Sequence, residues 1–175
     1  TEINDSMKKV LRREGKKYLL NLYAIYWSDN NYYLIGAHDN HDNLVNYRLD
    51  RIVNLTMSDE KAIDAKEKVG VNPEMIIQNY IEKSVDHFQG ELIRVEVEYE
   101  PGQAANAILY DFAGGNIRVR KLENGHCVAS FQKMDSVTLV GWFMQHAGMY
   151  KVVGPEKLRD EVQERIRSAW KIYSR

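Results

Sequence analysis

The sequence predicts an α+β protein in two parts, and three observations carry that expectation. Residues 17–55 are dense in aromatic and β-branched side chains, cut by short polar clusters, as expected of strands joined by tight turns. From residue 91 onward strand-like and helix-like periodicities alternate. Between them, residues 58–90 hold helix caps without a long apolar run. A chain of 175 residues is long enough for one large domain or two small ones.

Taken in order, "YLLNLYAIYW" (18–27) is an aromatic strand, "SDNN" (28–31) a turn cluster and "YYLIGAH" (32–38) a second strand. "DNHDN" (39–43) is another turn, and "LVNYRLDRIVNLTM" (44–57) supplies further strand. Short strands with tight polar turns make a small meander or barrel over residues 1–57. Residues 58–90 form a partly helical connector. In it, "SDEKAIDAKEKVG" opens on the N-cap Ser58 and closes on Gly70. Asn72 and Pro73 then start a second helical stretch, with Met75, Ile76, Tyr80 and Ile81 at helical spacing and Gly90 at its end.

Residues 91–175 are written more plainly. "ELIRVEVEYE" (91–100) alternates apolar and charged residues, so it is a half-buried strand. "PGQAANAILYDFAGG" (101–115) is a helix opened by Pro101 and closed by a glycine pair. "NIRVRKLE" and "HCVASFQKM" flank Asn124-Gly125, a strong hairpin signal. "DSVTLVGWFMQHAG" (135–148) is a helix capped by Asp135 or Ser136, with Leu139, Trp142, Phe143 and Met144 inward. "MYKVVG" (149–154) is a strand. "PEKLRDEVQERIRSAWKIY" (155–173) is a long helix whose apolar stripe is Leu158, Val162, Ile166, Ala169 and Tyr173. The order β-α-β-β-α-β-α is the ferredoxin-like order with one extra helix.

Composition narrows the function. No apolar run reaches the ~20 residues that cross a bilayer, and the opening "TEINDSMKKVLRREGKK" has no apolar signal core. The lone Cys127 forms no internal disulfide, which fits a reducing cytoplasm. A net charge of −1 argues against a general nucleic-acid binder, although a local basic patch stays open. The chain opens on Thr1 rather than Met and is expected to be part of something longer.

"YLLNLYAIYWSDNNYYLIG" and "NYRLDRI" (46–52) together resemble the WYL domain of bacterial transcription regulators. Tyr32-Tyr33-Leu34 stands where the eponymous Trp-Tyr-Leu would be. "VVGPEKLRDEVQERIRSAWKIY" is similar to the C-terminal extension that follows such domains. The chain departs from the pattern at Tyr32, at Leu22 in place of a frequent proline, and at Val45 in place of a frequent basic residue. The resemblance implies an Sm-like β-barrel that senses an effector, a nucleotide or single-stranded nucleic acid. It also implies a winged-helix DNA-binding domain placed before the barrel, and an extension, residues 91–175, that supplies homodimer contacts.

The residues that could hold such an effector fall in the first half. Arg48 and Arg51 match phosphate oxygens with guanidinium forks, unless Asp50 pairs with one of them and tacks the sheet shut. On a regular strand the two arginines face opposite ways; a bulge near Asp50 would bring them together. Tyr18, Tyr23, Tyr26, Trp27, Tyr32, Tyr33 and Tyr47 supply rings, most of them as core fillers. Alternation sends one of Tyr32 and Tyr33 outward as a stacking surface. Tyr47 and His38 complete the candidate ligand-binding set.

Other features read as structural. His38 and His41, with Asp39 and Asp42, have metal-like spacing, but a turn splays such side chains, so no metal and no cofactor is expected. His126-Cys127 lacks a third partner and reads as a small buried thiol. "FAGGN" (112–116) follows a helix and is no phosphate loop. Glu161 and Arg165, like Arg159 and Arg167, read as a solvated helix face.

The function expected is therefore non-enzymatic: effector sensing and dimerisation in a cytoplasmic DNA-binding transcription regulator. Two alternatives differ in class. One is a module that binds nucleic acid directly; the other is a metal-dependent hydrolase working from the His38/His41 loop.

Overall fold

A computed structural model describes residues 1–28, 30–85, 88 and 90–174, without the side chains of residues 77 and 79–82. The chain is mixed α/β with antiparallel sheets, and it divides into two compact units, Thr1–Asn79 and Tyr80–Arg175.

The first unit opens with a small ribbon that the sequence did not announce, β1 (Glu2–Ile3) against β2 (Lys9–Val10). A tight 3-10 turn, Arg12–Gly15, follows, with Arg13 and Glu14 in left-handed backbone. Then comes an antiparallel meander of β3 (Asn21–Ser28), β4 (Asn31–Ala37) and β5 (Leu44–Arg48). The central strand is buried from Tyr33 to Ala37, which explains its nearly unbroken apolar text. Register sets the two faces. Trp27 lies opposite Tyr32, Ile25 opposite Leu34, and Leu34 opposite Tyr47. On the other face Tyr26 pairs with Tyr33, and Tyr33 with Arg48. The Tyr26 and Tyr33 rings stack at 5.2 Å and are both buried. Gly36 lies so close to β3 that a Cβ there would overlap the Asn21 carbonyl oxygen.

No closed barrel forms among the described residues, which corrects the expected one. The closing segment leaves strand geometry at Arg48 and enters a 3-10 turn, Leu49–Arg51. Residues 52–57 add no strand. Within this turn segment the Asp50 carboxylate lies 3.0 Å from the Arg48 guanidinium. Three short strands cannot close on themselves.

Helix α1 (Ala65–Val69) is shorter than the 58–70 text suggests. Ser58 caps only a turn, accepting from the Glu60 N–H at 3.1 Å, and Asp64 is the working N-cap, accepting from the Lys66 N–H. Gly70 closes the helix in left-handed backbone, as expected. Helix α2 (Pro73–Lys83) stops at Lys83 rather than at Gly90. Ile76 is fully buried and Met75 half exposed; the Tyr80 and Ile81 side chains of the expected stripe lie outside the described residues. Asn21 clasps the unit. Its amide donates to the Ala37 carbonyl at 3.3 Å and to Asp39 at 2.6 Å, and its carbonyl oxygen accepts from the Ile63 N–H at 2.8 Å.

The second unit follows the sequence closely: β6 (Leu92–Tyr99), α3 (Gln103–Ala113), β7 (Arg118–Lys121), β8 (Cys127–Met134), α4 (Val137–Gln145), β9 (Tyr150–Gly154) and α5 (Glu156–Tyr173). Its sheet order is β7-β8-β6-β9, antiparallel throughout. Val95, Val97 and Tyr99 meet Ala129, Phe131, Leu109, Leu139, Phe143 and Leu158 in one core. Ser136, not Asp135, caps α4, accepting from the Leu139 N–H, while Asp135 pairs with Lys157 at 2.6 Å. Along α5 the apolar stripe divides: Leu158 and Val162 are buried, but Tyr173 is 86% exposed.

Candidate ligand face of the first unit

The meander presents one face of rings. Trp27 and Tyr32, held opposite each other by the β3–β4 register, meet edge to face at 4.6 Å and are 56% and 51% exposed. Beside them is an open hollow of about 290 Å³, lined also by Asn30, Asn31, Leu49 and Asp50. The alternation question is thereby answered: Tyr32 faces outward, whereas Tyr33 is sealed in the core against Tyr26.

Further along, Tyr18, His38 and Tyr47 cluster, with ring centroids 5.6 to 6.3 Å apart. His38 Nδ1 lies 2.8 Å from the Leu19 carbonyl oxygen, which can only accept, so Nδ1 carries a proton. His38 Nε2 lies 2.8 Å from the Tyr47 hydroxyl. Burial, reinforced by Tyr18, pushes the Tyr47 phenol above its ordinary value, with the Arg12 and Arg13 charges pulling the other way. The phenol therefore stays protonated and can donate to Nε2. Arg12 and Arg13 thus stand within electrostatic reach of this cluster. The sequence reading passed over them as part of a polar opening stretch; the charge run "RREGKK" was the available signal.

The two expected arginines part company. Arg48 is engaged internally: Nε and Nη2 reach the two Asp50 carboxylate oxygens at 3.0 and 3.1 Å, and Nη2 also donates to Asn31 at 2.7 Å. The hydrogen bond from Arg48 holds the Asp50 carboxyl below its ordinary range, helped by the nearby charges of Arg48, Lys9 and Arg51. Arg48 is a clamp at the rim of the hollow. Arg51 ends the 3-10 turn, exposed, and its guanidinium has no hydrogen bond or ion pair among the described residues.

The histidine loop is not arranged for a metal. His38 has both ring nitrogens engaged, and the exposed His41 ring lies 6.5 Å from it. Lys68 ties the loop down through the Asp39 carbonyl at 2.7 Å and the Asp42 carboxylate at 3.0 Å. Among the described residues no three His, Cys, Asp or Glu side chains converge as ligands. In the second unit, His126 reaches Glu98 at 3.2 Å, and Cys127 is a buried thiol. Among the described residues no helix is long and apolar enough to cross a membrane.

Comparison with known families agrees with this division of the chain. A WYL domain matches residues 10–57, and a WCX domain matches residues 91–170. The chain thus carries a WYL domain followed by a WCX domain. Among solved structures it is similar to proteasome accessory factor B/C (PafBC) of Arthrobacter aurescens, at 22% identity and a TM-score of 0.41. That similarity covers 89% of this chain and 22% of the other, so this chain spans under a quarter of that protein's length. No curated protein matches.

Proposed function

We propose that this chain is the effector-sensing and dimerisation region of a cytoplasmic DNA-binding transcription regulator. Its effector is a nucleotide or single-stranded nucleic acid, laid on the ring face of the first unit. One observation carries the reading: two large rings, Trp27 and Tyr32, stand more than half exposed beside an open hollow, with Arg48 and Lys9 paired to Asp50 of its lining. Rings left in water are stacking surfaces for bases, worth ~1–3 kcal/mol per base. Arg12, Arg13 and Arg51 supply positive charge for phosphates, while Arg48 holds the rim in shape. The face performs no bond-breaking step. Binding instead shifts the population between two states of the regulator, and promoter DNA is contacted by another domain of the parent protein.

The organisation that goes with this reading is a sensing domain over 1–57, a connector over 58–90 and a dimerising extension over 91–175. A ferredoxin-like arrangement of the extension is supported by its element order and its sheet order β7-β8-β6-β9.

The test is a titration of tryptophan fluorescence with short single-stranded oligonucleotides and with cyclic dinucleotides. Binding by one class is expected, weakened about fivefold or more by Trp27→Ala or Tyr32→Ala. If neither class binds, or both ring variants bind as the parent does, the reading fails. A second reading, direct nucleic-acid binding as a working surface, is favoured by the exposed run Arg12, Arg13, Lys16 and Lys17. Tight binding of any sequence with a steep salt dependence would select it.

A further inference from the structure

The second unit contains a hollow that the ring face does not explain. It measures about 560 Å³, and its lining includes Lys83, Arg94, Asn116, Arg118, Ser130 and Gln132. Every charged residue of the lining is a cation. Strand register builds this arrangement. Arg118 on β7 lies directly opposite Ser130 on β8, and Arg94 on β6 donates through Nε to the Ser130 hydroxyl at 2.7 Å. Ser130 therefore fixes the Arg94 guanidinium plane while leaving its two terminal nitrogens with no hydrogen bond among the described residues. Arg118 likewise makes no ion pair among the described residues. Along the same face of β6, Glu96 lies opposite Ser130, and Glu98 is bracketed by Lys151 at 3.3 Å and His126 at 3.2 Å.

We infer that this hollow binds a small phosphomonoester that also carries hydroxyl groups, of the size of a nucleoside monophosphate or a sugar phosphate. Among the described lining residues the two guanidinium forks meet no carboxylate, Glu96 lying opposite Ser130 outside the lining, and a dianionic phosphate relieves their repulsion while accepting several of their donors. The volume lies within the ~300–1,000 Å³ range of small-molecule sites. The rest of the wall favours hydroxyl groups. Asn116 and Gln132 offer amides that both donate and accept. The turn Gly114–Gly115 ends α3, and a helix C-terminus carries partial negative charge, which receives hydroxyl donors and turns phosphate toward the arginines. The residues 112–116 are thus a wall, and phosphate is held by side chains rather than by a glycine loop.

The experiment is calorimetric titration of the 175-residue chain with AMP, with glucose 6-phosphate and with inorganic phosphate. One of the two phosphomonoesters is expected to bind more tightly than inorganic phosphate. Arg94→Ala and Arg118→Ala should each weaken it about tenfold, as loss of a charge-assisted hydrogen bond implies. Arg118→Lys should recover part of the loss, and Arg120→Ala, on the same strand outside the lining, should leave binding unchanged. Trp27→Ala should also leave it unchanged, which separates this site from the ring face. Melting temperatures of the variants check that they fold. No binding by either phosphomonoester, indifference to Arg94→Ala and Arg118→Ala, or inorganic phosphate binding as tightly as both would overturn the inference. So would an oligonucleotide that displaces the ligand and loses affinity with Arg120→Ala, since that describes an open nucleic-acid track.

Discussion

Asp50 shows how a neighbouring side chain engages one arginine of the expected site. Its carboxylate takes Nε and Nη2 of Arg48 at the start of the 3-10 turn, while Arg51 has no internal partner among the described residues. The pairing has a pH signature. The folded-state carboxyl of Asp50 titrates below its unfolded value, chiefly through the Arg48 hydrogen bond, so the ionised form is favoured by folding. That stabilisation is present above the ordinary aspartate value of ~3.9 and is lost as pH falls through the lower folded value. Asp50→Asn should therefore be less stable than the parent at pH 6, with the gap closing on acidification below about pH 4, as read by urea unfolding at each pH. Tyr23 makes a different prediction. Its hydroxyl is buried with no partner among the described residues, and burial, then Asp64 and Asp39, pushes its pKa up. Tyr23→Phe should be neutral or stabilising by up to ~1 kcal/mol in chemical denaturation. At this scale the sequence identified ring types and charges but not their directions. That Tyr32 rather than Tyr33 faces out, or that Trp27 joins it, depends on a cross-strand register that no single strand specifies.

Among the elements, the most legible were those whose caps and apolar period agree. Helix α4 begins at Ser136, whose hydroxyl accepts from the Leu139 N–H at 3.2 Å. Ser136→Ala should cost about 1 kcal/mol by thermal or urea unfolding. The least legible was the 58–70 stretch. It offers two caps, Ser58 and Asp64, and only the second starts a helix, because Ala65 then enters the core at 1% exposure. Strand β5 was only partly legible: "NYRLDRI" is good strand text, but the ladder ends at Arg48 and Leu49–Arg51 turn as a 3-10 segment. Between β3 and β4, Gly36→Ala should cost several kcal/mol or prevent folding, since its Cβ would overlap the Asn21 carbonyl. Circular dichroism and a melting curve suffice to check it.

Over the whole molecule, a net charge of −1 sets the terms on which an anionic effector is met. The proposed binding rests on a few local cations rather than on overall charge. The salt dependence of oligonucleotide binding should accordingly be shallow, with a log–log slope of about −1 to −2, at ~0.7 per phosphate contacted. A slope several times steeper would contradict a local ring-and-arginine site.

The sequence by itself determined the mixed α/β content, the WYL resemblance, the order of every element after residue 91 and the concentration of rings before residue 48. Those properties are carried by local periodicity, caps and turn residues, which short stretches of chain write out in full. Only the tertiary structure decided that the meander stays open, that Arg48 serves the fold, that Arg12 and Arg13 stand near Tyr47, and that Arg94 and Arg118 share one hollow. Each of these depends on which residues of distant segments come face to face, and that is fixed by register and packing between strands.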